Sequence, residues 1–187
     1  MLYHASNVAG LDYLKPNISN HNQPLVYFSR KRENVLVYLS NAVEKYCREE
    51  KFDYDGKFCK WGPYGFDKDG KLEITEYYPN ALESTYKGVS AFIYGVGDFE
   101  ESSYETEIAQ VVTSATPVEV TSCEFIVDAY DEIIKAENEG LITIKRYEEL
   151  TEKNKQSIAR MIKEQYDGSE DKAYYRFFLE RHFSDIL

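Results

Sequence analysis

Apolar residues along this chain follow two rhythms. Short runs rich in Val, Ile, Tyr and Phe occupy residues 2–6, 25–29, 89–96, 107–113 and 117–120, and each predicts a strand. Over residues 32–50, Val35, Leu39, Ala42, Val43 and Tyr46 share one face of a 3.6-residue period, which predicts a single amphipathic helix with Ser29 as its N-cap. Residues 80–87 predict a short helix stopped by Gly88. Residues 125–139 predict a longer one, with Ile126, Tyr130, Ile133 and Ile134 aligned and Gly140 at its end. Near the C-terminus, Thr151 caps a predicted helix reaching about Tyr166, and Ser169 caps another reaching about Phe183. The connections are a helical turn over 10–14 closed by Pro16, a polar loop over 17–24, an acidic loop over 97–105 and a short strand over 141–144. Two Asp-Gly pairs, Asp55-Gly56 and Asp69-Gly70, each predict a hairpin turn.

This mixture predicts an α+β fold. The 187 residues suit one domain, with a mixed core over 1–122 and a mainly helical part over 123–187. No internal repeat or low-complexity linker divides them. A composition of 43% hydrophobic and 29% charged residues is that of a globular chain. Aromatic content is high, and tyrosine, with 17 copies, dominates it. Tyrosine couples an apolar face to a hydroxyl, which suits half-buried walls and stacking surfaces.

The net charge of −11 disfavours non-specific contact with nucleic acid or anionic lipid. It is uneven: residues 1–60 hold nine Lys/Arg against seven Asp/Glu, and the acidic excess lies beyond them. A small anion site is therefore possible in the N-terminal third. The first turn of the predicted helix, Arg30-Lys31-Arg32, has the wrong sign for a helix N-terminus, so it either faces solvent beside Glu33 or receives an anion. Cys47, Cys59 and Cys123 form no CxxC cluster, which fits a reducing compartment and neither a disulfide framework nor a zinc site. Asp67-Lys68-Asp69-Gly70 lacks the twelve-residue calcium-loop pattern, so no metal is expected. The N-terminus shows no signal-peptide pattern and no stretch is apolar enough to span a bilayer, so the expected location is cytoplasmic.

Four positions stand out for chemistry. His4 lies in the first strand as His4-Ala5-Ser6, Tyr27-Phe28 ends the second, Tyr38 follows eleven residues after Tyr27, and Glu107 opens a late strand. In this order they resemble the ADP-ribosyltransferase family in its His-Tyr-Glu branch, that of diphtheria toxin and the poly-ADP-ribose polymerases. The resemblance covers residues 2–120. It implies a split β-sheet core with helices, here with a C-terminal helical appendage, and NAD as the substrate. Tyr27 and Tyr38 would clamp the nicotinamide ring by stacking and cation–π attraction. Glu107 would stabilise the positive charge that builds on the ribose as the glycosidic bond breaks. His4 would bond the adenosine-side ribose, while Ala5 and Ser6 would line the carboxamide. Arg30, in the basic turn, is our own addition, as a contact for the pyrophosphate. The sequence departs from the family pattern at Ala5, where the family has glycine, and at Val35, where the polymerases have serine.

Two alternatives stay open at Glu107. Glu105-Thr106-Glu107 also resembles the Glu-x-Glu signature of the family's arginine-specific branch, so Glu105 is a rival or a substrate-positioning residue. That branch needs an Arg on the first strand and a Ser-Thr-Ser motif; the strand has no Arg and Ser84-Thr85 is a fragment of the motif. Three functions are thus on the table. The first is a mono-ADP-ribosyltransferase, with a possible protein acceptor, or an NAD glycohydrolase. The second is a catalytically silent module of the same fold that grips a protein. The third is an RNA 2′-phosphotransferase, which the acidic charge disfavours.

Overall fold

A computed structural model describes residues 1–18, 23–104, 106 and 108–187. The protein is α+β: a curled antiparallel sheet, a smaller three-stranded sheet and five α-helices. The larger sheet has β1 (Leu2–Ser6) at its centre, with β7 (Ala91–Val96) on one side and β4 (Pro24–Ser29) on the other. Beyond β7 come β9 (Val118–Ile126) and the two-residue β2 (Tyr13–Leu14). Beyond β4 come β3 (Asn17–Ile18) and β8 (Val111–Ser114). The smaller sheet holds β5 (Tyr64–Phe66), β6 (Leu72–Thr75) and β10 (Thr143–Lys145), with β10 parallel to β6.

The larger sheet is buried on both faces. Ile93 and Tyr94, neighbours on β7, are both nearly inaccessible, yet they belong to different cores. Side chains alternate across a strand, so one points to each face. On one face Ile93 meets Leu36, Leu39, Ala129 and Ile133. On the other Tyr94 meets Leu2, Phe28, Val96 and Val112.

The helix predicted over 32–50 is broken in two. Arg32–Tyr38 is a 3-10 turn, and α1 runs over Ala42–Glu49 from an Asn41 cap. The periodic apolar residues serve two different cores: Val35 and Leu39, with Leu36 and Val37 beside them, enter the sheet core, whereas Ala42 and Val43, with Cys47, enter an aromatic core beneath α5 on which Tyr46 also packs. The polar residues between them take local bonds that compete with a continuous helix. Ser40 Oγ donates to the Thr85 carbonyl at 2.7 Å, and Asn41 Oδ1 accepts from both Val43 N and Trp61 N. Ser29 does not cap this turn; the N-cap is Lys31, whose N–H donates to Ser29 Oγ.

Several other expectations move. The helix α2 (Ala81–Tyr86) lies where predicted, but α3 (Ala129–Asn138) starts four residues late. Phe125 and Ile126 are the end of β9, paired with Phe92 and Ala91, and Asp128 caps the helix through Tyr130 N and Asp131 N. Asp69-Gly70 sits in the β5–β6 hairpin, with Gly70 at φ +69°, but no strands flank Asp55-Gly56. Residues 10–14 hold β2 in place of a helical turn, after Gly10 at φ +69° redirects the chain. The strand predicted from 107 begins at Val111, because Gln110 adopts φ +70° and its carbonyl takes the Arg30 N–H. Finally α4 (Glu152–Asp167) is capped by Thr151 as expected, whereas α5 (Ala173–His182) starts after Lys172; Ser169 instead closes α4 through the Tyr166 carbonyl.

The helix α5 packs against α1 and the loop before β5, in a core built largely of rings. His182 lies in it, stacked on Tyr78 at 4.2 Å and tilted on Phe178 at 4.7 Å. Burial, and then the neighbouring Arg181 charge, lowers its pKa to about 4. The unfolded chain takes up a proton near pH 6.5, which the folded chain refuses until about pH 4. Stability is therefore expected to be flat in this respect above pH 6.5 and to fall as the pH drops from 6.5 towards 4. His182 is partly exposed, so the discounted loss is about 1–2 kcal/mol. Urea denaturation of wild type and His182→Phe at pH 7 and pH 4.5 checks this, since the variant lacks that loss; equal pH slopes would discard it.

The three cysteines form no disulfide. Among the described residues, no helix is long and apolar enough to cross a membrane, and no group of three His, Cys, Asp or Glu is arranged to hold a metal ion.

Candidate functional site

The ladder between β1 and β4 holds at one registered pair, Tyr3 with Ser29, whereas β1 and β7 share five. Beyond that pair, a side chain bridges the two strands. His4 Nδ1 lies 2.9 Å from the Tyr27 carbonyl. A carbonyl only accepts, so Nδ1 carries the proton and Nε2 is left as a bare acceptor. The imidazole rests 5.9 Å from the Phe28 ring. Burial lowers its pKa, the bond to Tyr27 offsets part of this, and the charge of Lys60 lowers it further. His4 is thus a neutral, oriented hydrogen-bond acceptor near pH 7, not a cation.

Tyr27 is half-buried on β4, opposite Thr113 of β8. Tyr38 ends the 3-10 turn and is 38% exposed. Its ring meets Tyr64 edge-on at 5.6 Å, and Lys60 Nζ stands 5.2 Å from its centroid. Burial raises the Tyr38 pKa, partly offset by a hydrogen bond with Tyr64. Burial also pushes the Tyr64 hydroxyl up. Around β1 and β4 the structure therefore links His4 to the Tyr27 backbone, and Tyr38 to Tyr64 and Lys60, with Lys60 close enough to influence His4.

Ala5 packs its methyl against the sheet core opposite Ile93, and Ser6 Oγ accepts from Val8 N at 3.1 Å. Val35, at the second departure from the family pattern, is buried in that same core. Each cation of the basic turn has a partner elsewhere in the chain. Arg30 pairs with Glu101 at 2.6 Å, Arg32 bridges Glu124 and Glu132, and Lys31 Nζ donates to the Asp69 carbonyl. These bonds account for three cations at the start of a helical turn. Glu105 and Glu107 lie outside the described residues. Between them, Thr106 Oγ1 donates to the Val111 and Ile108 carbonyls.

Nothing in the sequence marks Lys60 or Tyr64 as a site residue. Their segment, Lys60-Trp61-Gly62-Pro63-Tyr64, carries no periodicity, and its one visible signal is a lysine among aromatic residues. A separate groove of about 530 Å³ opens between β6, β10 and α4, lined among others by Tyr77, Lys145, Leu150, Asn154, Ile158 and Met161. A second cavity of about 10 Å³, room for one water, lies beneath Trp61 and Glu76. Neither includes His4, Tyr27 or Tyr38. Compared with known protein families, curated proteins and solved structures, the chain matches none.

Proposed function

We propose that this chain is an ADP-ribosyltransferase-like protein that binds NAD where β1 and β4 part and cleaves its nicotinamide–ribose bond, as a mono-ADP-ribosyltransferase or NAD glycohydrolase. The observation that carries the reading is the His4–Tyr27 bond. It presents a neutral Nε2 acceptor to a hydroxyl donor where backbone pairing ends, which is what holding a ribose requires. Tyr38, exposed on one side and backed by Tyr64, offers a ring for the flat nicotinamide. Glu107 would supply the carboxylate for the developing oxocarbenium charge.

Thermal denaturation with and without NAD tests the binding step. At a hundredfold excess over Kd, a ligand that binds only the folded chain raises its stability by about 2.7 kcal/mol. Tyr38→Ala is expected to raise the Kd for NAD roughly fivefold, from the loss of about 1 kcal/mol of stacking, with the fold intact. Unchanged affinity in this variant removes Tyr38 from the site; no shift in the wild type at millimolar NAD removes the NAD reading. The second reading, a silent module that grips a protein, draws on the groove beside α4. It gains only if NAD fails to bind.

A further inference from the structure

We propose that Lys60, assisted by Lys57, takes the pyrophosphate of the bound dinucleotide; this rests on the NAD reading and assigns the phosphate contact to a different segment from the Arg30–Arg32 turn.

The turn's cations already have partners. Arg30 and Arg32 face carboxylates at 2.6–2.8 Å, and Lys31 bonds a backbone carbonyl. A phosphate binding there would have to displace them. Lys60 is different. Among the described residues, no carboxylate pairs with Lys60 or Lys57, in a chain where acids outnumber bases 33 to 22. The Lys60 ammonium stands 5.2 Å from the centroid of Tyr38, the ring assigned to the nicotinamide end of the dinucleotide, and is near enough for its charge to act on His4, assigned to the other end. The pyrophosphate joins those two ends. Lys57, three residues earlier, reaches the Ile18 carbonyl at 3.3 Å. Burial of the Lys60 stem, and then the Lys57 charge, lower the Lys60 pKa; the two cations, both exposed, stand near each other with no counter-charge among the described residues paired to either. A dianionic pyrophosphate supplies that charge, and a lysine serves it as a mobile point donor.

Binding of NAD, ADP-ribose and nicotinamide riboside is measured by calorimetry for wild type, Lys60→Gln, Lys60→Arg and, as a surface control, Lys163→Gln on α4. Lys60→Gln should raise the Kd for NAD and ADP-ribose about tenfold, the loss of one charge-assisted contact, with nicotinamide riboside unaffected because it has no pyrophosphate. Lys60→Arg should restore most of that loss, and Lys163→Gln should match wild type. Salt should weaken wild-type ADP-ribose binding more than that of Lys60→Gln. Wild-type affinity for ADP-ribose in Lys60→Gln overturns the assignment. So does an equal loss for nicotinamide riboside, which would place Lys60 in the support of Tyr38. If the wild type binds none of the three, the NAD reading itself has failed, and this inference goes with it on separate grounds.

Discussion

Phe178→Ala is expected to destabilise the protein by about 3–5 kcal/mol, the range for truncating a buried aromatic ring. Phe178 is 0% exposed at the centre of the aromatic core. Its ring meets Tyr46 of α1, Trp61 of the loop before β5, Tyr78 ahead of α2, and Tyr175 and His182 of its own helix. Each of these segments leans on the others through that ring, so alanine would leave a void that none can fill alone. The neighbours are also constrained elsewhere, since Tyr174 stacks on Tyr54 and Cys47 Sγ reaches the Tyr174 carbonyl. Phe178→Leu, which keeps most of the volume, should cost less than about 1.5 kcal/mol. Urea denaturation of both variants measures this. A loss below 1 kcal/mol in the alanine variant would mean that α5 decorates the fold and does not complete its core.

Glu107→Gln is expected to lower NAD-dependent nicotinamide release by about 10²–10³-fold, the usual cost of removing one group that stabilises transition-state charge. Glutamine keeps the shape and loses the charge, so NAD affinity should change only a few-fold while turnover falls. The flanking chain is tied near β4: Thr106 bonds the Val111 carbonyl, Val111 pairs with Ser29, and the Gln110 carbonyl takes the Arg30 N–H. Nicotinamide release, followed by chromatography with NAD alone and with candidate protein acceptors, gives the readout. Full activity in the variant would pass the role to Glu105, tested the same way by Glu105→Gln. Binding without release in the wild type would leave an NAD-binding module and end the catalytic claim.

Strands with buried partners were legible because their apolar runs are short and bounded. Residues 2–6 and 25–29 read correctly for this reason. Helix ends were legible where a local side chain caps them, as at Thr151. The errors arose where one-dimensional periodicity met two cores. The segment 32–50 has a perfect helical stripe, yet its halves face different interiors and the chain bends at Ser40-Asn41. Asp55-Gly56 has hairpin composition, but Tyr54 and Phe58 beside it pack onto Tyr174, and the aromatic core holds them out of any sheet. Within the candidate site, His4 and the two tyrosines were visible as residue types in order. Lys60 was not, because its relation to Tyr38 and His4 spans chain separations that no local pattern encodes.

The amino-acid order by itself determined that this is an α+β chain of one domain's size, with its acidic excess beyond residue 60 and a His, Tyr, Tyr, Glu succession. These follow from composition and nearest-neighbour periodicity, which act over a few residues. Only the tertiary structure decided which histidine nitrogen carries the proton, that Arg30 and Arg32 are already paired with Glu101, Glu124 and Glu132, and that α5 closes the core begun by α1. Those outcomes depend on burial and on charges brought together across more than 20 residues of chain, as with His4 and Tyr27. Long-range desolvation and pairing are properties of the folded chain, and a linear pattern does not carry them.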